Sequence, residues 1–468
     1  MPEETMAQRL SRFATEFSYN ALPSDVVTSV KSRVLDILGL CAAAATLDTS
    51  RAAIDFAVEQ GGNSQAHAIG MDEKIPAALA AFVNGVTAHS LDYDDTHLPS
   101  VLHPSAPVIP AALAAAELVA ANGKDTIAAI ACGLEVCVRL GMAGYDPVGR
   151  SSVFFENGQH ATSICGAMGA AVSVGLLMGF DSKQIVDALG VTASMASGII
   201  ESNRTGGTVK RMHCGWAAHS AVSACQLVRH GFTGPPTSLE GRFGFFQAWL
   251  HGQVNYDAVL DQLGEVWEVP KIFFKPYPAN HFTHTVIDAA SALRAKGLDL
   301  GEIERITVGV AAPIVRTIGE PLQVKRRPET GYMAQFSGPY AVVIGLLGGG
   351  GLGASFADYD DNLVTDEDRR YLMSKVTVES DDECSKIFPH QFPTVLRITL
   401  KNGTELSEKA LFNRGGPDRP LTQAELALKF AENASRLIDQ DRVQKVVTLV
   451  ESLESVGDVG EILGVFAT

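Results

Sequence analysis

For most of its first 230 residues the chain keeps returning to alanine- and glycine-rich apolar text: "PAALAAFVNGVTAHSL", "VIPAALAAAELVAANG", "TIAAIACGLEVCVRLGMAG". Small residues let helices approach closely and bury more than one face, so this half predicts a helical bundle and not a sheet. The extreme case is Ile164 to Phe180, "ICGAMGAAVSVGLLMGF", 17 residues without a charge. Its four glycines, and a length short of a comfortable membrane span, favour a central buried helix over a transmembrane one. Val26, Val27, Val30, Val34, Ile37 and Leu38 recur at helical spacing behind Pro23 and Ser24, which predicts a capped helix near the start.

Near residue 269 the pattern changes. "VPKIFFKPYPAN" carries Pro270, Pro276 and Pro278, cannot continue a helix, and predicts an extended linker. After one more helix, "THTVIDAASALRAKG", β-type runs follow at 304–310, 375–380 and 394–410. The last holds Asn402-Gly403 between alternating flanks, a strong hairpin signal. From Thr422 helices return, opened by a capping box of Thr422 and Glu425. The expectation is a mainly α protein: a large all-helical bundle domain formed by both chain ends, 1–268 and 413–468, with a smaller α+β lid domain, 269–412, inserted into it. A chain of 468 residues suits two or three domains.

The formal charge of −16 argues against nucleic acid or an anionic membrane as partner, because there is no basic excess to neutralise phosphates. An anionic ligand would need a cationic pocket built locally. The seven cysteines are odd in number and form no CxxC, which predicts buried free thiols in a reducing compartment and no iron–sulfur cluster or structural zinc. The opening MPEETMAQRLSRF has no apolar core of signal-peptide type, so a cytoplasmic location is expected.

Four stretches carry chemistry. In "HSLDYDDTH" (89–97) three aspartates lie between two histidines. As a calcium loop it fails, since the required glycine and glutamate positions are His97 and His103. As a magnesium-binding DDxxD it lacks the final acid. It either faces water or, held between an apolar helix and the prolines of "LPSVLHPSAPVIP", forms a rigid loop for acid/base groups, with His103 the nearby imidazole suited to proton transfer. In "ENGQHATSICGAMGAA" His160 precedes the buried helix as a structural cap or as a ligand group, and the backbone N–H groups of Ala161, Thr162 and Ser163 could meet an anion. "NRTGGTVKRMHCGW" concentrates Arg204, Lys210, Arg211 and His213, either as a solvated loop or as a seat for carboxylates or phosphates. "FFKPYPANHFTH" places Lys275, Asn280, His281 and His284 at the linker; zinc there lacks a third ligand of the usual spacing. "GGGGLG" (348–353) fits a dinucleotide fingerprint literally but belongs to no βαβ unit and reads as a helix end.

Taken together, "NGVTAHSLDYDDTH" with "HPSAPVIPA", "GQHATSICGAMGAA", "GGTVKRMHCGWAAHSAVSA", "GFTGPPTSLEGRFGFF", "FKPYPANHFTH" and "AQFSGPYAVV" resemble the MmgE/PrpD family over essentially the full length. The family includes 2-methylcitrate dehydratase, cis-aconitate decarboxylase and iminodisuccinate epimerase. The resemblance implies a homodimer, a site between bundle and lid, and work on small di- and tricarboxylates without metal or organic cofactor. Carried over motif by motif, it implies Asp92, Thr96, His103, His160 and Lys210 as the catalytic set, with Arg204, Arg211, Lys275, Asn280 and His281 binding substrate. Two differences from the decarboxylase pattern, one more residue between Thr96 and His103 and Asn280 before His281 where that group has a histidine, speak against decarboxylation, and the expected reaction is dehydration of a 2-methylcitrate-like hydroxy acid. Decarboxylation of cis-aconitate type and epimerisation of a dicarboxylate are the alternatives, and a catalytically silent carboxylate-binding dimer is the rival from another class.

Overall fold

In the computed structural model, which describes residues 4–202 and 207–467, the alanine-rich text folds as helices. In chain order they are α1 (Met6–Glu16), α2 (Ser24–Ala44), α3 (Asp48–Gln60), α4 (Ala77–His89), α5 (Ser105–Val119), α6 (Gly123–Met142), α7 (Ala161–Leu177), α8 (Ser182–Ala193) and α9 (Val209–Arg229). Every residue of α7 except Leu176 is buried, as expected of a helix apolar all round. No helix among the described residues is long and apolar enough to cross a membrane. The cap expected of Ser24 is not made: Ser24 is already the first helical residue, and Pro23 holds the cap position without a side-chain acceptor to offer.

The chain divides into two compact units, Met1–Ile272 with Phe430–Thr468, and Phe273–Lys429. The divisions fall beyond the predicted 268/269 and 412/413. At the second, Phe430 is fully buried and lies against Gly39 of α2, which binds the chain from there to the first unit. That unit is not wholly helical, since Tyr145–Asp146 and Ser151–Ser152 pair antiparallel. It also contains α13 (Gln440–Glu451) and the end of α12 (Gln423–Ala434), whose Thr422–Glu425 capping box is formed as the sequence predicts.

The second unit packs α10 (His284–Ala295) and α11 (Gly338–Leu347) with a four-stranded sheet of β1 (Ile303–Val310), β2 (Val376–Ser380), β3 (Thr394–Leu400) and β4 (Glu405–Ala410). The order is β2-β1-β3-β4, with β1 parallel to β2 and the other pairs antiparallel. The β3–β4 turn contains Asn402-Gly403, and Gly403 takes the positive φ that favours glycine. Gly348 ends α11, so the glycine run is a helix terminus.

Two glycine crossings set the first unit's dimensions. A Cβ added at Gly85 of α4 would lie 2.7 Å from the Cα of Gly215 on α9, and one at Gly215 would strike the Phe82 carbonyl. Gly133 of α6 and Gly169 of α7 meet the same way, each facing the other's carbonyl oxygen. Backbones in such contact leave no room for a methyl group. Gly85→Ala or Gly215→Ala is expected to cost about 1–3 kcal/mol through overpacking. The check is a lower urea midpoint at unchanged m-value.

Candidate active site

The loop after α4 uses each acid of "DYDDTH" differently. Asp95 is 1% exposed and forms a buried ion pair with Arg33 of α2 at 2.7 Å. The same carboxylate accepts from the Ser105 backbone N–H at 3.2 Å and the Ser105 hydroxyl at 2.5 Å, which ties the loop to the start of α5. Arg33 also donates to the carbonyls of Val269 and Ile272. Asp94 accepts from His89 Nδ1 at 2.7 Å. His97 engages the Ser100 hydroxyl at 2.8 Å and Glu268 at 3.3 Å. Burial works against the Glu268 charge, but the hydrogen bonds from His97 and Lys271 outweigh it and hold its carboxyl down at about 2. Asp92, left-handed at φ 51°, has its carboxylate 3.6 Å from Lys210 Nζ on the first turn of α9. A non-glycine residue held there is a common mark of a functional loop.

Four imidazoles gather beside this pair. The centroid of the His89 ring is 5.5 Å from that of His103 and 5.6 Å from that of His160, and His160 is 4.9 Å from His213. They come from the end of α4, the loop before α5, the start of α7 and the first turns of α9. His103 Nδ1 lies 2.5 Å from the Asp95 carbonyl and 3.3 Å from the Thr96 hydroxyl. A carbonyl can only accept, so Nδ1 carries the hydrogen and Nε2 is the nitrogen left deprotonated in the neutral ring. The first turn of α7 holds the others in place: Thr162 Oγ1 accepts from the His103 backbone N–H at 3.1 Å, and Ser163 Oγ donates to the His213 carbonyl at 3.0 Å.

His160 is not the structural cap its position suggests, because its side chain makes no capping bond and pairs with His213, Nδ1 to Nδ1, at 2.9 Å. One nitrogen must donate and the other accept. Burial first, then the charges of His89, Lys210, His213 and His103, pushes His160 well below its ordinary value. Burial, then His89 and Lys210, brings His213 down to about 4. The pair is therefore neutral near pH 7 and set beside a lysine.

Of the residues expected from sequence, Asp92, Thr96, His103, His160 and Lys210 lie together in the first unit. Arg211 reaches elsewhere, donating to Thr49 of α3 at 3.3 Å. Arg204 falls outside the described residues. Lys275, Asn280 and His281 belong to the second unit. There Asn280 caps the turn His281–Thr283 by accepting from the Phe282 N–H, and His281 is ringed by Phe273, His284 and Phe392. Sequence reasoning missed His89, Asp94 and Arg33 as partners. The signal for Arg33 was a charge set in the apolar run of α2, between Val30 and Val34. All seven cysteines are buried and unbridged.

Two outcomes are expected. Because His160 and His213 resist protonation in the folded state, the unfolded chain takes up protons first as pH falls below 6.5. Stability should then drop with falling pH, the His213 part of the loss ending at about 4, where His213 also protonates in the folded state. Urea unfolding across that range would show it, and His213→Asn should flatten the slope. Asp95→Asn, which strands the Arg33 charge, should cost about 3–5 kcal/mol in the same assay.

Two family models match in chain order. The MmgE/PrpD N-terminal domain covers residues 8–257, and the MmgE/PrpD C-terminal domain covers residues 277–455. Among characterised proteins, the chain is 29% identical over 455 residues to the cis-aconitate decarboxylase of Mus musculus, spanning 94% of this chain and 88% of that protein. It is 26% identical over 474 residues to the cis-aconitate decarboxylase of Aspergillus terreus, spanning 97% and 94%. A shorter match, 26% over 250 residues, covers 51% of this chain and 49% of the 2-methylcitrate dehydratase-like protein oryR of Aspergillus oryzae. With both domain models matched over nearly its whole length, the chain belongs to the MmgE/PrpD family.

Proposed function

We propose that the protein is a lyase acting on a small di- or tricarboxylate by acid–base catalysis, and that its reaction is decarboxylation of a cis-aconitate-type acid. The observation that carries the chemistry is the Lys210 ammonium, 3.6 Å from Asp92, beside neutral imidazoles. In a decarboxylation the bond to the departing carboxyl carbon breaks, and its electron pair moves onto the neighbouring carbon and into the conjugated acid. A fixed cation stabilises that charge best where water is scarce, which is the role of Lys210. Carbon dioxide leaves, and the carbanion takes a proton drawn from water and relayed through an imidazole of the cluster, leaving hydroxide. Asp92 orients the lysine, and Thr96 steadies the His103 ring.

The choice of reaction is supported by likeness to cis-aconitate decarboxylases along almost the whole chain, against likeness to a dehydratase-like protein along half of it. It replaces dehydration of a 2-methylcitrate-like acid as the first reading; the two motif differences that speak against decarboxylation weigh less than the full-length relationship. Dehydration stays as the second reading because of one observation: His103 Nε2, deprotonated in the neutral ring, is suited to take a proton next to a carboxylate. The reading includes a homodimer that needs no metal or organic cofactor, as the family resemblance implies.

The test incubates purified protein, with and without EDTA, with cis-aconitate, 2-methylcitrate and citrate in deuterated water, followed by proton NMR. Loss of carbon dioxide with one deuteron placed on the product carbon is the expected result. Loss of water from 2-methylcitrate would establish the second reading instead, and no change in any acid would overturn both. Lys210→Ala should lower kcat about 10²–10³-fold, as removal of one charge-stabilising donor does elsewhere. His103→Gln should lower it about 10²–10⁴-fold.

A further inference from the structure

His89 ends α4, and the bond from its Nδ1 to Asp94 is shut away from solvent, the two side chains being 1% and 0% exposed. Its Nε2 is also buried and has no hydrogen-bond partner among the described residues. A nitrogen left so carries a desolvation cost, and retaining it asks for a reason. The same ring neighbours two others, His103 at 5.5 Å and His160 at 5.6 Å between centroids. Its described contacts are with Asp94 and those two rings, so the part it plays runs through them.

We propose that His89, clamped by Asp94, is a positioning residue that holds the neighbouring His160 ring and sets the proton affinity of the His160–His213 pair. The described ring bonds of the four imidazoles differ in kind. His103 is bonded to a carbonyl and His160 to His213, whereas the bond of His89 runs to a carboxylate, which fixes the ring plane. His160 is faced by His89 from α4, His103 from the loop, and His213 and Lys210 from α9. His213 is faced by His89 and Lys210, with the Asp94 carboxylate behind His89. A proton on either member of the pair adds positive charge to this group. After burial, His89 is the largest charged influence on both members.

The inference rests on the acid–base reading of the cluster, but its test needs no substrate. Histidine side chains of the full-length protein are titrated by two-dimensional proton–nitrogen NMR, with the His160 and His213 signals assigned by single substitution. His89→Gln is expected to raise the midpoint of the pair by about one pH unit, since His89 works against a proton on both members. If the decarboxylation is found, the pH profile of kcat/KM moves up with it. An unchanged midpoint, with only the melting temperature lowered, would mean a merely structural role and overturn the proposal. Should His89→Gln not fold, Asp94→Asn keeps the ring and removes the clamp: a moved midpoint supports the proposal and an unmoved one ends it. Inactivity toward every polycarboxylate would sink the functional reading while leaving the titration to decide this one.

Discussion

The candidate site depends on backbone touching backbone where α4 crosses α9. Gly85 and Gly215 let the two helices lie closer than any side chain allows. Four residues past the first glycine is His89, and two and five residues before the second are His213 and Lys210. A helix rises about 1.5 Å per residue, so all three residues lie within about one and a half turns of the crossing without any loop having to reach. The Gly133–Gly169 contact seats α7 in the same manner, and α7 brings His160 at its start. Three imidazoles and the lysine are thus located by helix axes, which are stiff, and only Asp92, Thr96 and His103 by a loop.

That loop is itself tied down from inside. Burying a carboxylate such as Asp95 is costly unless its partners are complete, and here a guanidinium, a backbone N–H and a hydroxyl complete it. Because Asp95 is spent on this anchorage, its carbonyl is presented to His103 and sets which ring nitrogen holds the hydrogen. A run of three acids therefore divides into one anchor, one clamp for His89 and one partner for the lysine.

Much of this was legible in the sequence wherever the cause is local. The hairpin at Asn402-Gly403, the Thr422–Glu425 box and the buried character of α7 follow from turn chemistry, capping and the absence of charge. Asp92, Thr96, His103, His160 and Lys210 were legible as motif residues. What was not legible comes from contacts between distant segments. Nothing near His89 in the chain says that its ring will lie between His103 and His160, and nothing near Arg33 names Asp95 or the carbonyl of Ile272. The cap expected at Ser24 failed because helix starts depend on where the first turn closes, a matter of one residue. Motif text also could not rank the reactions of the family, since decarboxylation and dehydration share a carbanion-like species beside a carboxylate and differ in which bond supplies the electrons.

The buried cysteines have a consequence for self-compatibility. Under either proposed reaction the protein works among α,β-unsaturated acids, which are electrophiles toward thiolate. Thiolate is the reactive form of cysteine, and burial suppresses it: the Cys41 thiol is pushed up to about 12 by burial, and Cys132, Cys137, Cys165, Cys214 and Cys225 are raised by the same cause. With all seven cysteines buried and none bridged, the protein presents its own product with no exposed thiol to alkylate.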